Sequence, residues 1–258
     1  MEKIHFLYIA GLMIISIIST YVLINLPHGA PVLVLESSFF LFGLGLNSTI
    51  LLWTIGGYLL LRWFKTNRNN PSLIIWSISF FIYSITFLAH IFRALGFPNA
   101  NENLSPLHFF IWRWVMPCFS AGIIYGILII LTENKKLQKI PTFLTLILGF
   151  LWLILGLFFI PSENPIETTM YLFLHTIWIP VCFTMAYIFA FYGYKAKETG
   201  PKLVGIGFFL LMISYHGWAP WHFQDVIYLY FIWYFLFLLS LTPILIGFVV
   251  MSVEERQD

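Results

Sequence analysis

Apolar residues in this chain form long runs broken by short polar turns, without the two-residue alternation of a half-buried strand. Eight such segments stand out, at roughly 4–26, 39–61, 72–92, 107–131, 141–160, 169–193, 202–217 and 226–251. A run of about 20 apolar residues crosses the hydrocarbon of a bilayer as a helix, because a helix satisfies its own N–H and C=O groups where no water can. A membrane barrel would instead show alternating strands of roughly 10 residues. The pattern predicts an all-α integral membrane protein with about eight transmembrane helices. Seven are possible if 202–217, which is short and holds Gly205 and Gly207, does not cross. The first segment exceeds the apolar core of about 7–15 residues of a secretory signal and has no small-x-small site after it, so it is expected to be a retained span. Neither end carries a lipidation motif.

Composition agrees with a lipid solvent. Of 258 residues 60% are hydrophobic and 9% charged, against about 25% charged in soluble domains. No linker or low-complexity run interrupts the pattern, so 1–258 is expected to be a single polytopic domain with no soluble domain. A net charge of +2 without a single-sign patch excludes a nucleic-acid partner. Cys118 and Cys182 lie within apolar runs, where a thiol behaves as a small hydrophobe.

Charge placement gives orientation. With eight spans and the N-terminus inside, the cytoplasmic side receives Lys3, then Arg62, Lys65 and Arg68, then Lys135, Lys136 and Lys139, then Lys195, Lys197 and Lys202, and finally Arg256. These are eleven of the 13 basic residues. Only Arg93 and Arg113 fall outside, and both termini are expected in the cytoplasm of a cell-membrane protein. Three basic turns lead into Pro71, Pro141 and Pro201, read here as first helical positions, where a missing N–H costs nothing.

The same orientation polarises the ionisable residues. His28, His90, His108, His175, His216 and His222 fall in the outer half or outer loops, with Glu36, Glu102, Glu163, Glu167, Asp225, Arg93 and Arg113. His90 ends the third segment, His175 lies about two turns into the sixth, and His216 is near the outer end of the seventh, so three helices could aim three imidazoles at one depth. Neutral imidazole is the commonest metal ligand and the usual axial ligand of a b-type haem, and an ionisable group within a bilayer is costly unless it has a role. His90, His175 and His216 are therefore the candidate haem or metal ligands. Arg93, one helical turn from His90, is the candidate partner for an anionic group such as a propionate. In "SYHGWAPWHFQD", Ser214 to Asp225, Pro220 ends the helix, leaving His222 and Asp225 as further candidate ligands in a cap, Asp225 placed to orient the His222 ring. His28, His108, Trp112, Trp114, Trp218 and Trp221 fit an interfacial belt. There is no HExxH, CxxC or CxxCH, no mid-span lysine in the last segments, and no Gly-rich phosphate loop.

The stretch "WHFQDVIYLYFIWYF", Trp221 to Phe235, resembles the last-helix motif of haem-copper oxidase subunit III, in which a Trp-His-Phe-x-Asp-Val run opens the final span. The overall size is similar. That family has seven spans, opens this helix from the other membrane side, and carries a glutamate in its third helix where this chain has only His90 before Arg93. The resemblance implies respiratory machinery and gives no residue a role.

Three functional readings follow. The first is a redox or respiratory component holding a b-type haem, copper or zinc beneath the extracytoplasmic surface. The second is a membrane receptor or sensor using the same outer histidines. The third is a transporter or structural subunit. In each the partners are the lipid bilayer and, for a chain with so little extramembrane surface, other membrane subunits.

Overall fold

The computed structural model describes residues 38–94, 106–158, 174–216 and 227–254. Among them all regular structure is helical. Helix α1 spans Ser38–Lys65, α2 Pro71–Ala94, α3 Pro106–Leu131 and α4 Lys135–Phe158; a π-helical turn, Leu174–Trp178, leads into α5, Ile179–Ala196; α6 spans Thr199–His216 and α7 Ile227–Glu254. Each overlaps one predicted segment, and segment 4–26 lies outside the described residues. Four windows, Pro71–Leu88, Trp114–Leu131, Thr176–Ala196 and Phe235–Ser252, are long and apolar enough to cross a membrane, and Thr199–Ser214 is a shorter apolar helix. By length and composition this is a membrane protein.

Local chemistry fixes where the helices begin and end. Pro71 opens α2 as expected, with Asn70 as its cap: the Asn70 Oδ1 accepts from the Ser72 amide at 3.2 Å. Pro141 does not open α4. The helix starts six residues earlier, because Asn134 Oδ1 accepts from the amides of Lys136 at 3.0 Å and Leu137 at 3.5 Å, an N-cap that nucleates ahead of the proline. Pro201 is the third residue of α6, within the turn whose amides lack helical partners. Asn67, Arg68 and Lys197 take left-handed φ values of 53°, 64° and 61°, which end α1 and α5 without glycine. The Arg68 guanidinium then lies 5.4 Å from the ring centres of both Trp63 and Phe64.

The contacts divide the chain into two compact units. One comprises residues 1–51, 87–101 and 186–258. Its closest packing is between α6 and α7. A Cβ built on Gly247 would lie 2.7 Å from the Gly200 carbonyl oxygen, and one on Gly207 would lie 2.8 Å from that of Ser240. Gly205 faces α5 the same way, 2.9 Å from the Ala186 carbonyl oxygen. Small residues let backbones approach where lipid tails are as apolar as leucine and only packing distinguishes a helix from solvent. Phe208, Leu211, Leu241 and Ile244 fill the seam between them, fully buried.

The other unit comprises residues 52–86 and 102–185. Here hydrogen bonds supplement packing. The Trp76 indole donates to the Ile123 carbonyl at 3.2 Å beside Gly126. Ser77 donates to the Gly56 carbonyl at 2.7 Å, and Trp53 Nε1 donates to Ser84 Oγ at 2.7 Å. Phe80, Tyr83, Phe119 and Trp178 form its aromatic centre, with Tyr83 stacked on Phe119 at 4.4 Å and Trp178 at 5.6 Å from both. Gly149 of α4 rests on the Pro117 ring of α3.

Candidate functional site

The three candidate histidines occupy equivalent places on their own helices. His90 and Arg93 lie in the last turn of α2, which begins just after the basic Arg68 turn. His216 is the last residue of α6, whose start is flanked by Lys197 and Lys202. His175 lies in the π turn before α5, which ends at Lys195 and Ala196. Counted to the helix end beside the basic turn, at Pro71, Thr199 and Ala196, the separations are 19, 17 and 21 residues, or about 26 to 32 Å along the helix. The described structure gives their backbone positions and not their side chains. It brings His90 and Arg93 together as neighbours one turn apart on α2. His222 and Asp225 lie outside the described residues, as do Trp221 to Val226 of the subunit III-like stretch, whose remainder opens α7. Among the described residues no group of three or more His, Cys, Asp or Glu forms a metal cluster.

The π turn at His175 is a feature the sequence reading did not anticipate. It is followed closely by Pro180, which has no N–H to give the carbonyl four residues back, at Thr176. A π turn has bonds running from residue i to i+5, and such single turns recur at functional positions. One consequence is a register shift: His175 is rotated relative to α5 from where an unbroken helix would hold it. Another is that Trp178, the last residue of the turn, is fully buried against Tyr83 and Phe119. The turn is thus anchored at Trp178, three residues after the histidine. Protein-family models, curated proteins and solved structures were all compared with the chain. None matches.

The buried hydroxyls were not among the candidate residues. Ser72, Ser77, Ser79, Ser84, Thr86 and Ser120 are all at most 2% exposed in the aromatic unit. Three bond to their own helix or its neighbour, Ser77 to the Gly56 carbonyl at 2.7 Å, Ser79 to that of Ile75 at 2.8 Å and Ser84 to that of Phe81 at 2.6 Å, whereas the hydroxyls of Ser72, Thr86 and Ser120 have no partner among the described residues. The signal was available: serines at 72, 77, 79 and 84 within one apolar run mark a helix that packs on protein and not on lipid. Cys118 and Cys182 are free thiols on α3 and α5, and neither lies beside a described candidate ligand.

Proposed function

We propose that this chain is an eight-span protein of the cell membrane, with both termini cytoplasmic, that holds a b-type haem or a copper or zinc ion beneath its extracytoplasmic surface as a redox or respiratory component. The observation that carries this reading is the common spacing of His90, His175 and His216 from the basic ends of α2, α5 and α6. That spacing, about 26 to 32 Å along each axis when counted to the helix ends, matches the roughly 30 Å hydrocarbon thickness. Lysines and arginines anchored at one interface put all three histidines at the other. Three unrelated helices reaching the same depth with the same ligand-type residue is what a shared site requires.

The donor set fits such a group. Two imidazoles from different helices suffice for a bis-histidine haem, which carries electrons at its iron when bound; three with an open position suit copper or zinc. Arg93, one turn from His90, would hold an anionic edge by its guanidinium. His222 and Asp225 would close the site from the loop before α7. The subunit III-like run at Trp221 to Phe235 supports a place among other membrane subunits.

The deciding experiment is an oxidised and dithionite-reduced visible spectrum of protein extracted with its lipids, beside elemental analysis of the same sample. A reduced haem alpha band, or stoichiometric copper or zinc, is expected, with occupancy lost in His90→Ala and in His175→Ala. Full occupancy in both variants would remove these ligands. A colourless, metal-free sample would discard the redox reading in favour of a receptor, sensor or structural subunit.

A further inference from the structure

We propose that the α1–α2 and α3–α4 turns together bind an anionic phospholipid, its phosphate among their basic side chains and its acyl chains along the apolar residues beside them. Both turns belong to the unit of residues 52–86 and 102–185. The Gly56 carbonyl of α1 accepts from Ser77 of α2, and Trp76 of α2 donates to the Ile123 carbonyl of α3 beside Gly126. Counted on from these contacts at about 1.5 Å per residue, Lys65 at the end of α1 and Leu131 at the end of α3 reach the same level to within about 5 Å. Pro71, where α2 begins, lies at that level too.

Six basic residues are gathered at this end: Arg62, Lys65 and Arg68 from one turn and Lys135, Lys136 and Lys139 from the other, against one carboxylate, Glu133. All but Arg62 are exposed. Along the chain they are two separate groups of three. Helix pairing makes them one patch with a net charge of +5. Clusters of this size at the end of a spanning helix attract anionic lipid. Lys135 and Lys139 are one helical turn apart, on one face of α4. Arg68 is held in place. Asn67 and Arg68 take left-handed φ values of 53° and 64°, a conformation that arginine adopts reluctantly, and the Arg68 guanidinium lies 5.4 Å from the ring centres of both Trp63 and Phe64. The rings restrict the guanidinium and leave its N–H groups to donate to phosphate oxygens.

The surface around the charges decides what kind of anion fits. Phe64, Leu131, Leu137 and Ile140 are 49% to 61% exposed and adjoin Lys65, Lys136 and Lys139 in the chain. A soluble anion would leave these side chains bare. A phosphate joined to acyl chains covers both kinds of surface. In the other unit, the α5–α6 turn carries Lys195, Lys197 and Lys202 with Glu198, a net charge of +2, and provides a control for diffuse attraction between lipid and positive charge.

Native mass spectrometry of the full-length chain, given equal amounts of phosphatidylglycerol and phosphatidylcholine with the same acyl chains, tests the proposal. The 30.1 kDa chain is expected to retain phosphatidylglycerol in preference by about tenfold or more. A chain with Lys65→Gln, Arg68→Gln and Lys136→Gln is expected to fall to near parity. The matched chain with Lys195→Gln, Lys197→Gln and Lys202→Gln loses the same charge and is expected to keep the preference. Arg68→Gln alone lies in the turn, outside any helix, and is expected to lower the ratio about fivefold, which keeps the test decisive if the triple variant misfolds. No preference in the parent, equal loss in the two triple variants, or an unchanged ratio in Arg68→Gln overturns the proposal. Excess glycerol phosphate is expected to leave the lipid bound, and its full displacement of phosphatidylglycerol would assign the patch to a soluble anion instead.

Discussion

At the scale of single residues, close approach decides what is tolerated. Gly247 and Gly57 are both helical glycines, but a Cβ at Gly247 would meet the Gly200 carbonyl oxygen at 2.7 Å and the Val204 amide nitrogen at 2.7 Å, whereas one at Gly57 would meet nothing within 4 Å. Gly247→Leu should therefore separate α6 from α7 and destabilise the protein by about 1–3 kcal/mol or more, the usual cost of overpacking. Gly57→Ala should be neutral or gain up to about 1 kcal/mol from helix propensity. Reversible unfolding in mixed micelles measures both, and similar behaviour of the two variants would show that the packing distance does not govern stability. Gly205 and Gly207 illustrate how much of this is legible. In the sequence they weakened the case for a seventh helix; in the structure they let α6 pack against α5 and α7. A glycine's local penalty is visible in the chain, but the neighbour that compensates it is more than 15 residues away, as Ala186 and Ser240 are from these two.

At the scale of helices, caps and prolines set the register on which the site depends. Helix existence was legible for α1 to α7 because apolar runs of this length have few alternatives in lipid. Ends were less so: Pro141 was read as the start of α4, but the Asn134 cap wins, since its carboxamide satisfies two amides that the proline cannot. The turns "KTNRNNP" and "KAKETGP" both leave a helix through left-handed residues, Asn67 with Arg68 and Lys197, and enter the next through Asn70–Pro71 or Thr199–Pro201. Pro180→Ala should restore α-helical bonding through Thr176 and rotate His175 by about 100° relative to α5. The expected result is cofactor loss comparable to His175→Ala with overall helicity retained, read by the reduced spectrum or metal content. Unchanged occupancy would show that the π turn does not position the histidine.

At the scale of the whole molecule, topology is the testable consequence. Under the proposed orientation, membrane-impermeant maleimide applied to intact cells should label Glu102→Cys and Glu163→Cys. It should leave Lys136→Cys and Lys197→Cys unlabelled until the membrane is opened. Labelling of the lysine positions from outside would invert the orientation and with it the depth assigned to the histidines. The sequence alone determined the all-helical class and the segments that became α1 to α7, because lipid solvation constrains each segment locally: backbone groups must bond within it and charges must leave the hydrocarbon. The tertiary structure alone decided which glycines carry backbone contact and that Ser77 of α2 donates to the Gly56 carbonyl of α1. Those features depend on what another helix places within a few ångströms, a relation between distant residues that no local preference encodes.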